Sequence, residues 1–146
     1  MADDGARSVR LERRVGVAPA RAFRAWTDPA EVRRWWCPMG FVPETVDIDP
    51  RPGGRLRLAM RSPEGNLFAI SGVYRVVEPP HRLVHSWVWD HLPDMETEVT
   101  VEFVRDGDGT RVVVAHDGFP DAPAAARHAD GWTSVLDRLA NRSWED

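Results

Sequence analysis

A long amphipathic segment near the C-terminus, residues 121–144, most constrains the fold of this chain. It follows a nearly unbroken series of short segments in which apolar and polar residues alternate. Residues three or four apart share one face of a helix, and one stripe of this segment carries His128, Trp132, Val135, Leu136 and Leu139. A lone C-terminal helix after an antiparallel meander predicts a curved sheet that wraps around the helix and leaves space beside it.

Alternation with a period of two predicts about seven strands. They span residues 9–17, 42–49, 55–61, 67–77, 82–89, 96–104 and 110–116. Pro19 and Pro29 each stand where a short helix can begin, because a proline in the first turn needs no backbone N–H. Asp28 is the expected N-cap of the second helix, and Glu31 is placed to complete a capping box. The prediction is an α+β fold in which a curved antiparallel sheet grips a long C-terminal helix, with two short helices after strand 1.

The composition fits one soluble domain, with residues 1–8 expected to be disordered. A chain of 146 residues buries a core without a metal or disulfide staple. The formal charge of −4 argues against nucleic acid as a partner, because non-specific binding to phosphates needs surplus positive charge. Arg55, Arg57 and Arg61 alternate with apolar residues, which is typical of the solvated face of a strand.

The single cysteine, Cys37, excludes an internal disulfide and suits a reducing compartment. The N-terminal residues do not resemble a secretory signal, and no apolar run approaches the roughly 20 residues that span a bilayer. We therefore expect a cytoplasmic protein without membrane insertion, present as a monomer or a homodimer.

The side chains predicted to face the space between sheet and helix are large and often aromatic. Seven Trp residues in 146 is a high number, and Trp, Tyr and Met commonly line apolar ligand sites. The same side chains also suit a filled core, so composition leaves both interpretations open. A straight helix cannot follow a coiled sheet along its whole length, which favours a cavity. The candidate ligand-binding residues are Trp36, Met39, Phe41, Met60, Phe68, Tyr74, His85, Trp87, His116, His128, Trp132 and Leu136.

Three polar side chains are predicted to point inward. His116 shares its parity with apolar residues of the last strand, His128 lies on the helix stripe, and Tyr74 shares its parity with apolar residues of its strand. Buried polar groups need partners, so these side chains are expected to bond one another, a water or a ligand. A satisfied core role remains the alternative for each.

The strand over 82–89 is ambiguous, because both of its faces carry apolar residues. We predict that Leu83, His85, Trp87 and Trp89 face the core.

Other chemistries find less support. A metal site built from His116, Asp117, His128 and Cys37 lacks close His/Cys spacing, and we predict no metal or other cofactor. No serine stands at a sharp turn and Cys37 has no evident base, so nucleophilic catalysis is not predicted. Acid–base catalysis by His116 stays open, because an imidazole titrates near neutral pH.

Several segments together resemble the START/Bet v 1-like superfamily, and within it the domain shared with the activator of Hsp90 ATPase. These segments are 27–29, 35–38, 49–55, 78–80 and 128–132, which read TDP, WWCP, DPRPGGR, EPP and HADGW. The resemblance covers residues 9–142 and implies a helix-grip fold with a hydrophobic cavity between the sheet and the C-terminal helix. It also implies binding of lipids, polyketides or other apolar molecules, which some members cyclise or hydrolyse.

Three functions remain open from the sequence. The first is binding of a small hydrophobic or aromatic molecule, anchored by His116, Tyr74 or His128. The second is a cyclase-like or hydrolase-like enzyme that uses His116 as acid and base. The third is a module that binds a chaperone ATPase. We favour the first, with a small apolar molecule as the partner.

Overall fold

The computed structural model describes residues 7–144 and has one antiparallel sheet with three helices on its concave side. The strands are β1 (Val9–Val15), β2 (Val42–Ile48), β3 (Arg55–Arg61), β4 (Leu67–Glu78), β5 (Arg82–Trp89), β6 (Glu96–Asp106) and β7 (Gly109–Asp117). The helices are α1 (Pro19–Thr27), α2 (Pro29–Trp35) and α3 (Ala122–Asn141). The strand order is β1-β7-β6-β5-β4-β3-β2. The predicted α+β helix-grip fold with two short helices after strand 1 is confirmed.

Strands β3 and β5 have the predicted bounds, and the other predicted ends differ by no more than three residues. Strand β1 ends at Val15 and not at residue 17, while β6 extends to Asp106 because it pairs with β7 up to Gly109. Of the eight N-terminal residues predicted to be disordered, residues 1–6 lie outside the described part of the chain. None of the described helices is both long and apolar enough to cross a membrane.

Irregular pairing helps the sheet to curl around α3. The register shifts between Pro43 and Thr45 where β2 pairs with β3, and between Tyr74 and Val76 where β4 pairs with β5. Such bulges bend a strand and increase its twist. Gly72 permits a close approach of β5, because a Cβ at this position would lie 2.1 Å from the backbone oxygen of Ser86.

The start of α2 corrects one sequence prediction. The Asp28 carboxylate caps the helix by accepting a hydrogen bond from the backbone N–H of Ala30. Glu31, however, does not complete a capping box. It is buried, and its carboxylate instead pairs with Arg21 at 2.8 Å and with Arg142 at 2.7 Å.

Helix α3 ends earlier than predicted, next to the ion pairs of Glu31. The helix stops at Asn141 and not at residue 144, and Arg142 already has extended backbone angles. The guanidinium of Arg142 then lies 4.4 Å from the ring centre of Trp144 while it bonds Glu31. Arg142 and Trp144 are thereby packed against side chains of α1 and α2.

The concave face of the sheet carries the core. Leu56, Leu58 and Met60 of β3 are buried, whereas the alternating Arg57 and Arg61 point to solvent and pair with carboxylates. This confirms the solvated face predicted for β3.

Strand β5 is buried on both faces over most of its length. Leu83 and Trp87 belong to the main core cluster and Trp89 packs against it, so the predicted facing of this strand is confirmed.

Candidate functional site

A cavity of about 410 Å³ lies between the concave face of the sheet and α3. This volume falls within the range of roughly 300–1,000 Å³ that is usual for small-molecule sites. Its walls are mostly apolar and come from β3, β4, β5, the loop after α2 and one face of α3. The mouth lies beside the β5–β6 loop, where the lining residue Leu92 is 41% exposed.

One face of α3 forms the helical wall of the cavity. Arg127, His128, Gly131, Trp132 and Val135 line it, with the spacing expected of a single helix face. Gly131 stands in the middle of this helix, where a glycine costs about 1 kcal/mol relative to alanine. A Cβ built on Gly131 would meet no atom within 4 Å. No packing contact among the described residues therefore requires a glycine here, and its lack of a side chain leaves that volume to the cavity.

The loop between α2 and β2 forms a second wall and is fastened to α3. Arg138 donates a hydrogen bond of 2.9 Å to the backbone oxygen of Cys37, and the backbone N–H of Met39 donates one of 3.0 Å to Oγ of Ser134. Cys37 has a φ of 133°, which is strained for a residue other than glycine. These contacts hold the neighbouring Trp36 against the cavity.

His128 reaches the cavity but has both ring nitrogens occupied. Its Nδ1 lies 2.8 Å from the backbone oxygen of Ala124, and its Nε2 lies 2.8 Å from the indole nitrogen of Trp89. Because Trp89 can only donate, Nε2 accepts, and the proton sits on Nδ1. Burial lowers the pKa of His128, so the neutral ring is favoured. This imidazole positions Trp89 in the wall.

His116 is fully buried behind the cavity and does not line it. Its Nδ1 accepts a hydrogen bond of 3.0 Å from the indole of Trp132, and its Nε2 therefore donates to Oγ1 of Thr97 at 2.7 Å. Burial, followed by the charges of His128 and His85, lowers the pKa of His116 to about 2. At neutral pH this ring is uncharged and hydrogen-bonded at both nitrogens, so neither nitrogen is free for acid–base chemistry.

A second, much smaller cavity of about 20 Å³ lies deeper in the core. Tyr74, His85 and Trp87 border it, and Trp87 also lines the main cavity. The indole N–H of Trp87 is buried and has no acceptor among residues 7–144. Burial lowers the pKa of His85 to about 4, while its Nδ1 bonds the backbone oxygen of Ser86.

The structure brings most, but not all, of the predicted site residues to the main cavity. Seven of the predicted residues line it: Trp36, Phe41, Met60, Phe68, Trp87, His128 and Trp132. Tyr74 and His85 lie at the smaller cavity, whereas His116 and Leu136 are fully buried in the core. Met39 was expected to face inward, and this is wrong: it is 83% exposed, because the loop is held through its backbone N–H.

Eight further residues line the cavity and were not among the predicted contacts: Pro38, Trp89, His91, Leu92, Met95, Arg127, Gly131 and Val135. Val135 and Gly131 were recognisable, the first from the helix stripe and the second as a glycine inside a helix. The β5–β6 loop gave no such signal, because a loop has no regular period that shows which side chains face inward.

The side chains weighed as metal ligands, His116, Asp117, His128 and Cys37, do not form a group that could bind a metal ion. Within residues 7–144, no three His, Cys, Asp or Glu side chains are grouped so that they could hold a metal ion. Burial raises the pKa of the Cys37 thiol to about 12, only partly offset by the charge of Arg138, so this cysteine is neither a thiolate ligand nor an activated nucleophile at neutral pH.

The chain is similar to known proteins both in sequence and in structure. Residues 17–142 match the family described as "Activator of Hsp90 ATPase homolog 1-like protein". Among solved structures, the AHSA1 protein from Silicibacter pomeroyi is 31% identical with a TM-score of 0.82, over 91% of this chain and 94% of that one. A protein from Chromobacterium violaceum is 26% identical with a TM-score of 0.82, over 95% of this chain and 99% of that one. No curated protein matches significantly.

Proposed function

The chain belongs to the family of activator of Hsp90 ATPase homolog 1-like proteins, and on that basis we propose that it binds a small hydrophobic or aromatic ligand between the sheet and α3. The proposed contacts are the cavity-lining residues Trp36, Phe41, Met60, Phe68, Trp87, His128 and Trp132, together with the eight lining residues not predicted from the sequence. Burying an apolar molecule here removes both its surface and the cavity wall from water, which is the main driving force for such binding.

The observation that carries this proposal is the open space beside Gly131, in the middle of α3. A helix interior is stabilised by almost any residue other than glycine or proline, and the space beside Gly131 would accept a Cβ without a clash. A chain whose interior is merely a packed core gains nothing from this glycine. A binding protein gains cavity volume at the centre of its helical wall.

The enzyme alternative rested on His116 as acid and base. Both ring nitrogens of His116 are hydrogen-bonded to protein groups, and its depressed pKa opposes proton uptake near neutral pH. A general acid or base must also be within hydrogen-bond reach of the reacting atom, whereas His116 lies behind Trp87 and Trp132. The arrangement favours a carrier or sensor of the ligand over a catalyst that uses this histidine.

The proposal is tested by filling the cavity from Gly131. The neutral dye N-phenyl-1-naphthylamine brightens in apolar surroundings, and we expect the wild-type protein to bind it. Gly131→Leu places a side chain in the cavity and should weaken dye binding at least tenfold while the free energy of unfolding stays the same or rises, since leucine is the better helix former. Ala126→Leu, on an exposed part of the same helix, is the matched control and should bind as the wild type does. No binding by the wild type, or equal binding by Gly131→Leu, would overturn the proposal.

A further inference from the structure

Within residues 7–144, the lining of the cavity carries a single permanent charge, and this charge is positive. Arg127 is the only residue of the described lining that carries a permanent charge, and none of those lining residues is an Asp or Glu. This contrasts with the chain as a whole, in which acidic residues outnumber basic ones, 23 to 19. A cavity selected only for an uncharged molecule would have no need of a cation at its edge.

Arg127 is also available to a ligand. It is exposed, and among residues 7–144 no carboxylate oxygen lies within 4.0 Å of its guanidinium. Arginines on the outer face of the sheet behave differently: Arg57 pairs with Asp90 at 2.8 Å and Arg61 pairs with Glu44 at 2.9 Å. Arg127 is therefore exposed beside an apolar cavity, without a carboxylate partner in the described residues.

The neighbouring groups leave Arg127 as the natural anchor. His128, the next residue on α3, has both ring nitrogens bonded within the protein. The indoles of Trp89 and Trp132 donate to His128 and His116. Among the other lining residues, the His91 ring packs against Phe68 and Trp89, and the buried indole N–H of Trp87 has no acceptor among residues 7–144 but carries no charge.

We propose that the ligand is an anionic amphiphile: a hydrocarbon or aromatic body in the cavity with a single carboxylate held at the mouth by Arg127. This inference rests on the proposed function and names the chemical class of its ligand. A guanidinium matches a carboxylate with two parallel hydrogen bonds. At the mouth the pair stays partly solvated, so the charge need not be buried and its desolvation cost is small.

The test compares ligands that differ only in their head group. Displacement of N-phenyl-1-naphthylamine is measured at pH 7.5 with dodecanoate against 1-dodecanol, and with 1-naphthoate against 1-naphthalenemethanol. At low ionic strength we expect the acid of at least one pair to bind about fivefold more tightly than its alcohol, the size of one partly solvated ion pair. The preference should shrink in 0.5 M salt, which screens such a pair.

Two variants test whether Arg127 causes the tighter binding of the acid. Arg127→Gln should lose the preference for the acid, so that the acid binds no more tightly than its alcohol. Arg105→Gln removes the same charge from the β6–β7 hairpin and should keep the wild-type preference. An alcohol bound as tightly as its acid in both pairs, or a preference that survives Arg127→Gln, would overturn the inference while dye binding leaves the proposed function standing. Failure of the dye itself to bind would overturn both.

Discussion

The indole nitrogen of Trp132 donates a hydrogen bond of 3.0 Å to Nδ1 of His116 and so joins α3 to β7 through two buried side chains. The same Trp132 forms part of the cavity wall. The bond therefore fixes the helix at a set distance from the sheet, and that distance decides how much space the cavity has. His116 acts on the site through this contact, as a support for the wall.

We expect Trp132→Phe to lower the free energy of unfolding more than the loss of ring atoms alone would. The substitution leaves Nδ1 of His116 buried without a donor, which costs about 1–3 kcal/mol. The matched control is Trp87→Phe, because Trp87 is equally buried, at 6% exposure, but its indole N–H has no acceptor among the described residues. Urea unfolding of both variants provides the measurement. Equal destabilisation by the two substitutions would mean that the bond to His116 contributes nothing.

The protein should lose stability steeply below neutral pH. Burial holds the pKa of His116 near 2 and that of His85 near 4, while an unfolded histidine has a pKa of about 6.5. Above pH 6.5 both rings are neutral in either state, so the full stability is present. As the pH falls below 6.5, only the unfolded chain takes up protons, and the two residues together should cost about 3–4 kcal/mol between pH 7 and pH 5.

Urea unfolding at a series of pH values measures this loss. His85→Gln should reduce the loss between pH 7 and pH 5 by about 2 kcal/mol, the share of one histidine, whatever its effect on stability at pH 7. His81→Gln changes an exposed histidine and should retain the wild-type slope. A flat profile between pH 7 and pH 5 would contradict the buried neutral state of both rings.

The buried ion pairs of Glu31 should matter more than those on the surface. Burial alone would raise the pKa of Glu31, but its bonds to Arg142 and Arg21 outweigh that effect and lower it to about 2. Glu31→Gln leaves two guanidinium groups without their shared carboxylate, and we expect the free energy of unfolding to fall by about 2–4 kcal/mol.

Glu44→Gln is the control, since it breaks an exposed pair with Arg61 and should cost less than about 1 kcal/mol. A similar loss in the two variants would show that the Glu31 cluster is as weak as a surface pair. The pH dependence gives a second check: the contribution of Glu31 is present above pH 4.5 and is lost as the pH falls toward 2.

Much of the fold followed from local pattern. Alternation fixes which side of a strand enters the core, so the inward direction of His116 and the outward direction of Arg57 were both predictable. The stripe on α3 identified its buried face in the same way. The ends of elements were less predictable, because they depend on partners far along the chain, as with Arg142 and the buried Glu31.

The same distinction between local pattern and distant contacts applies to the residues of the site. Residue type and parity identified the aromatic wall, including Trp87 and Trp132, since these depend only on which face a residue occupies. Met39 was misjudged because loop residues have no fixed period, and its backbone bond to Ser134 turns the side chain outward. The sequence by itself determined the curved sheet, its closing helix and the apolar lining. Only the tertiary structure decided that volume stays open beside Gly131, that His116 and His128 are hydrogen-bonded at both ring nitrogens, and that Arg127 has no carboxylate partner among residues 7–144. Each of these depends on distances between elements that no local pattern encodes.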